Sequence, residues 1–234
     1  MRRATLALVA VLLAFPVLAQ RLSQNVIPSN YTLRFTPDLA AEKFAGEETI
    51  SVAIKEPATS ITLNAAEIEF DDVSITSAGK TQKATVAVDT TLERATFTVA
   101  EPISGDASIH IRFRGVLNDK LRGFYISKSD RRKYAVTQME PTDARRAFPS
   151  FDEPAFKATY DISLVVDDGD TAISNAKIVK DEPGPIAGKH TITFDRTAKM
   201  STYLVAMLVG DWKCSEGLRM VCRSAFARLR RKRT

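Results

Sequence analysis

The sequence predicts an all-β protein, an antiparallel β-sandwich or curved double sheet with one long irregular loop that holds a short helical turn. Three observations carry that prediction. Apolar and polar residues alternate with period two in run after run from Asn30 onward, turn residues separate the runs, and helical periodicity never extends past about two turns. Successive side chains of a strand point to opposite faces, so each run can bury one face while the other stays wet. Many short strands at this spacing suit a sandwich and not a bundle or a doubly wound sheet.

The first element is residues 1–19, MRRATLALVAVLLAFPVLA. Arg2 and Arg3 precede an apolar run from Leu6 to Leu18, and Val17 and Ala19 stand just before Gln20. A basic start, a short apolar run and small residues at a cleavage position are the layout of a secretory signal peptide. The run falls short of the roughly 20 apolar residues of a membrane span. The expectation is an exported protein, periplasmic or secreted after cleavage, with membrane contact only if the signal stays uncleaved.

The body opens with Tyr31, Leu33 and Phe35, followed by Ile50, Val52 and Ile54, by Ile61 with Leu63, and by Ile68 with Phe70. Val86 with Val88, then Ala95, Phe97 and Val99, then Ile109, Ile111 and Phe113 mark further strands. Pro57, Asp71 with Asp72, Gly79, Glu101 with Pro102, Gly105 and Gly115 read as turns between them. Phe124 with Ile126, Tyr134 with Val136, and Ile162, Leu164 and Val166 continue the pattern. So do His190, Ile192 and Phe194, after the turn at Asp181-Glu-Pro-Gly-Pro. Residues 202–210 (TYLVAMLVG) are apolar at nearly every position, which predicts a central strand buried on both faces.

The chain has 234 residues, 44% of them hydrophobic and 26% charged. These are ordinary globular values, which exclude a multi-span membrane protein. A net charge of +5 alone points to an anionic partner. Its distribution removes that idea. Arg2 and Arg3 belong to the signal, and the stretch from Arg219 onward holds seven basic residues and no acid. Of the 33 basic residues, 24 remain in residues 20–218 against 28 acidic ones, a net of −4. No nucleic-acid partner is expected for such a body. Two histidines and two cysteines are too few for a zinc ribbon or a disulfide-stapled scaffold.

Residues 137–157, TQMEPTDARRAFPSFDEPAFK, break the alternation. Thr142 is placed to cap a single helical turn through Asp143 to Arg146, and Pro149 to stop it. A loop this long inside a compact β unit is more often functional than decorative. Arg145, Arg146, Asp152 and Glu153 read instead as a self-paired network that pins the loop.

The same segment closely resembles the signature of the N-terminal β domain of the aminopeptidase N family of zinc metallopeptidases, the gluzincin aminopeptidases. Residues 26–33 (VIPSNYTL) and 200–212 (MSTYLVAMLVGDW) also resemble that family, so the likeness spans about residues 25 to 213. The resemblance implies a saddle-shaped, mostly antiparallel β domain that reaches into the active site of a neighbouring catalytic domain. It implies that Glu140 holds the free α-ammonium group of a peptide substrate and that Gln138 lines the pocket for the first side chain. A carboxylate in a partly desolvated cleft pairs well with one ammonium group. Met139 stands where members more often carry an aromatic residue, and Ser150 where many carry cysteine.

Family catalysis needs a helix bearing H-E-x-x-H with a further glutamate, to hold zinc and activate water. It also uses a Gly-x-Met-Glu-Asn strand. Neither motif occurs in these 234 residues. His110 and His190 are far apart and have no histidine neighbour, so they read as strand residues and not as metal ligands. The expectation is a substrate-docking domain over residues 20–213, with peptide N-termini and an absent catalytic domain as its partners. It takes no cofactor itself, leaves zinc to that missing domain, and is inactive alone. Packing against such a domain implies an apolar patch on the isolated chain. The alternative from a different class is a non-catalytic exported β-sandwich that binds peptides or a partner protein. Cys214 and Cys222 read either as a bridge or as two free thiols. Residues 214–234, Arg-rich and unlike the family, read as a basic tail, disordered or out of frame.

Overall fold

The computed structural model describes residues 21–215 and 226–228. The signal-like segment and Cys222 lie outside the described residues, and so does the choice between a bridge and free thiols. The first half holds β1 (Val26–Asp38), β2 (Lys43–Asn64), β3 (Ile68–Ser77), β4 (Lys80–Lys83), β5 (Thr85–Asp89) and β6 (Arg94–Val116). β7 (Gly123–Lys128), β8 (Lys133–Gln138), β9 (Thr159–Asp167), β10 (Thr171–Ser174), β11 (Ile178–Pro183), β12 (Lys189–Phe194) and β13 (Met207–Gly210) follow. In the tail, β14 (Lys213–Ser215) pairs antiparallel with β15 (Phe226–Arg228).

A large sheet runs β11-β12-β9-β1-β2-β6-β3-β4, with β5 also paired to β6. A small sheet runs β10-β13-β8-β7. The all-β class is as the alternation predicts. Pairing is antiparallel except between β1 and β9, which run parallel with Asn30 opposite Thr159.

Long strands replace several predicted turns. Pro57 falls in the register break of β2 between Ile54 and Ala58, and Pro102 lies in β6 between its pairing residues Thr98 and Ile103. Proline has no N–H for a ladder, so an irregularity is where a long strand can hold one. β1 behaves likewise: a register shift between Pro28 and Asn30 switches the buried positions from Val26 and Pro28 to Tyr31, Leu33 and Phe35. Gly115, also read as a turn, lies inside β6 opposite Phe44, and Gly46 lies opposite Phe113. An added Cβ would stand 2.3 Å from the Phe113 ring at Gly46 and 2.2 Å from the Phe44 ring at Gly115. Both rings are buried and have no room to retreat. Gly46→Ala is therefore expected to cost about 1–3 kcal/mol of unfolding free energy. A urea midpoint equal to the parent's would contradict this crowding.

Two other expectations are corrected. Val86 and Val88 alternate but bury no face, being 36% and 51% exposed, because β5 pairs only with β6 and nothing covers it. Residues 202–210 are not one strand. Thr202–Leu204 forms a 3-10 turn, and only Met207–Gly210 pairs as a strand, β13 in the interior of the small sheet.

Aromatic rings join the two sheets. Phe124 of β7 lies 5.8 Å from Phe35 and 5.4 Å from Phe44. Phe148 of the irregular loop meets Tyr31 at 6.0 Å and Phe35 at 6.3 Å. Burying such rings stabilises by about 1.5–3 kcal/mol each, so the loop is part of the core and not an appendage.

Candidate functional site

The loop that follows β8 begins by continuing the strand's alternation. Gln138 is exposed, Met139 is buried and Glu140 is exposed, so the two candidate residues flank an anchored methionine. The Met139 carbonyl then accepts the Asp143 N–H at 2.9 Å and closes a turn across the cis Glu140–Pro141 bond. Among the described residues, neither the Gln138 side chain nor the Glu140 carboxylate has a hydrogen-bond or ion-pair partner. Gln138 faces Gly123 across the β7–β8 ladder. Gly123 has a φ of +66°, and a Cβ there would stand 2.7 Å from the Arg146 Cβ. Only glycine allows that approach of the loop to β7.

The single turn is Ala144–Arg146, a 3-10 turn. Thr142 does not cap it: Asp143 occupies the N-cap position and makes no side-chain cap bond. Arginine pairing holds the segment instead, partly as the self-paired reading expects. Arg145 Nε donates to Asp152 at 3.0 Å, and Arg146 Nε donates to Asp143 at 2.8 Å. The remaining partners come from elsewhere. Arg145 Nη1 reaches Glu93 at 3.3 Å, and Arg146 binds Glu93 and, at 2.9 Å, Glu67. Glu67 and Glu93 both have left-handed backbones, with φ of +58° and +52°, in the turns that bracket β3 to β5. Among the described residues Glu153 pairs with no arginine; it accepts the Leu22 N–H at 2.6 Å.

Further ties stitch the loop to the body. Asn64 and Ser150 exchange backbone bonds of 2.8 and 2.9 Å, and the Phe151 N–H donates to the Tyr31 hydroxyl at 3.1 Å. The Thr202 hydroxyl donates to Asp152 at 2.7 Å, so the turn misread as strand secures the loop's buried acid. Sequence reasoning did not link Tyr31, Glu67, Glu93 or Thr202 to the loop. Each is 50 or more residues from its partner, and no local pattern reports such a pairing.

A cleft of about 460 Å³ lies beside the loop, lined by Arg21, Asn64, Thr142, Arg145, Asp152 and Glu153 among others. Neither Gln138 nor Glu140 lines it. Both stand on open surface, where an ion pair is worth at most about 1 kcal/mol. A second wall is needed before Glu140 can grip an ammonium group strongly.

Zinc does not fit the residues present. His110 on β6 contacts Thr49 Oγ1 at 3.2 Å and Glu47 at 3.5 Å. His190 on β12 contacts Asp181 at 2.5 Å and the Asp170 carbonyl at 3.1 Å. Three strands, β9, β1 and β2, separate β6 from β12, so the two strands lie about 19 Å apart at ordinary strand spacing and the imidazoles cannot share a metal. Among the described residues, no group of three or more His, Cys, Asp or Glu side chains is arranged to hold a metal.

The family model described as Peptidase M1 N-terminal domain matches residues 27–204. Aminopeptidase 2 of Candida albicans is 41% identical over 196 residues, covering 81% of this chain and 21% of that protein. Aminopeptidase M1-D of Oryza sativa subsp. japonica is 39% identical over 204 residues, covering 85% and 23%. The puromycin-sensitive aminopeptidase of Caenorhabditis elegans is 37% identical over 200 residues, covering 82% and 21%. The chain thus spans about a fifth of the length of the relatives it matches. With its β architecture, its pinned loop and this likeness over most of its length, the chain belongs to the M1 aminopeptidase family, and residues 27–204 are its N-terminal domain.

Proposed function

We propose that this domain docks the amino end of a peptide for an M1 aminopeptidase. Glu140 pairs with the α-ammonium group and Gln138 lies beside the first side chain. Zinc and its activated water belong to the part of the enzyme that lies outside this chain. The observation that carries this reading is the pair of exposed, unpartnered side chains on either side of buried Met139, held on a loop that two arginines and two aromatic rings make rigid. A group poised this way loses little entropy on binding. The layout of residues 1–19 supports export, which we propose as well.

The test is a chimera in which residues 27–204 replace the matched region of the Candida albicans aminopeptidase 2. Glu140→Ala in that chimera is expected to lower kcat/KM for aminoacyl p-nitroanilides at least ~30-fold, as loss of one desolvated charge partner does. Glu140→Asp is expected to retain part of the rate. An unchanged kcat/KM in Glu140→Ala would overturn the assignment.

A further inference from the structure

The start of the body is fastened to the signature loop. Leu22 is 4% exposed and belongs to the core, although it stands only three residues after Ala19. Its N–H donates to Glu153 Oε1 at 2.6 Å, a bond across 131 residues to the loop that carries Gln138 and Glu140. Arg21 and Glu153 both line the cleft of about 460 Å³ beside that loop. The charges of this cleft are unevenly matched. Arg145 is engaged by Asp152 and Glu93, and Arg94 has a partner too. Glu153 is half-buried, yet among the described residues its carboxylate has no ion-pair partner, Arg21 included.

Removal of the signal supplies a cation within reach. Hydrolysis of the peptide bond between Ala19 and Gln20 consumes one water and leaves a carboxylate on Ala19 and an α-ammonium group on Gln20. That amine is mostly protonated at pH 7. In the uncut chain the same nitrogen is a neutral amide. Two residues span at most about 7 Å, so the Gln20 nitrogen lies within about 7 Å of the Leu22 N–H that Glu153 already holds. A cation tethered this closely gives up little freedom on pairing.

We propose that the α-ammonium group released at Gln20 pairs with Glu153, so that signal removal ties the mature amino terminus to the loop bearing the candidate docking residues; the inference rests on the export reading above. The ammonium group donates to the carboxylate that accepts the Leu22 N–H, and a charge-assisted bond of this kind is about twice as strong as a neutral one. Maturation thereby neutralises a loop carboxylate that the uncut chain leaves unmatched among the described residues.

The test expresses the full chain with its signal in an exporting bacterium and reads the intact mass and the α-amine reactivity of the product. The mass is expected to be that of a chain beginning at Gln20. At pH 7 and low salt its α-amine is expected to react with an acylating reagent at least ~3-fold more slowly than in Glu153→Gln, because the paired amine holds its proton. The amide oxygen of Glu153→Gln still accepts the Leu22 N–H, so the tether survives the change. In about 1 M NaCl the difference is expected to shrink, since salt screens a pair near the surface, whereas steric shielding of the amine would persist. Equal rates in the parent and Glu153→Gln overturn the pairing, and so does a difference that salt leaves intact. A product lighter by one ammonia also overturns it, because the Gln20 amine has then attacked its own side-chain amide and lost its charge. A chain made to begin at Gln20 by removal of a fusion partner separates the two readings. Slow labelling there, with an exported product that still begins at Met1, would reject the cleavage and keep the Glu153 pairing. An exported product that begins at Gln20 and labels as fast as Glu153→Gln would keep the cleavage and reject the pairing.

Discussion

Replacing Glu48 by leucine is expected to stabilise the domain, and by more at pH 8 than at pH 5. Glu48 is 1% exposed, on the inward face of β2 between Gly46 and Ile50, with Leu33 of β1 and Ile111 of β6 opposite it. Neither carboxyl oxygen has a hydrogen-bond partner among the described residues. Tyr31 and Tyr160 feel its charge, and no basic group among the described residues offsets its burial. Burial alone pushes the Glu48 carboxyl well above the usual carboxylate range. Burial also raises both tyrosines, with the neighbouring acids adding to the effect.

The sign follows from proton counting. Below the unfolded-state value of about 4.3 both states hold the Glu48 proton and its titration costs nothing. Above it the unfolded chain releases the proton while the folded chain keeps it, so stability falls as pH rises. The slope is about 1.4 kcal/mol per pH unit until the folded carboxyl ionises. Glu48→Leu removes that slope and restores apolar contact with Leu33 and Ile111. Urea midpoints of parent and variant should diverge as pH rises above about 4.3 and stop diverging once the folded carboxyl ionises. Parallel curves would mean that Glu48 finds a partner which stabilises its charge.

The second large effect is expected at Arg145. Its guanidinium is the cation bonded to Asp152, a carboxylate whose side chain is only 1% exposed. Arg145→Ala leaves that charge buried, with the Thr202 hydroxyl and one backbone N–H as its remaining donors. Breaking a buried pair by removing one partner costs about 3–5 kcal/mol. For a domain of this size that lowers Tm by roughly 6–20 °C. Adding Asp152→Asn to Arg145→Ala should recover much of the loss, because the orphaned charge is then gone. Arg145→Lys should recover less, since a lysine cannot bridge Asp152 and Glu93 with one planar fork. A loss under about 1 kcal/mol in Arg145→Ala would show that the pairing is incidental.

Legibility differs between elements for physical reasons. The inward residues of β1, β6 and β9 were readable because pleating forces every second side chain to one side, a rule that acts within a few residues. The segment that carries Glu140 and Gln138 stood out because it bears a long, specific pattern. Val86 and Val88 misled because alternation reports a strand's two faces without saying whether any layer covers them. Residues 202–210 misled because a run of apolar residues looks the same in a buried strand as in a turn packed over a loop. The partners of Arg145 and Arg146 had no local signal, since Glu67 and Glu93 arrive through turns dozens of residues away.

From the amino-acid order alone came the all-β class, most of the core-facing residues and the segment that bears the candidate site. Tertiary structure decided the parallel pairing of β1 with β9, the placement of Glu48 without a cation among the described residues, and the glutamates that meet Arg145 and Arg146. Side-chain alternation repeats every two residues and can be read in any short window. Register is a choice between distant strands, and a slip of one residue would send every side chain of a strand to the other face, so only the assembled sheets determine it.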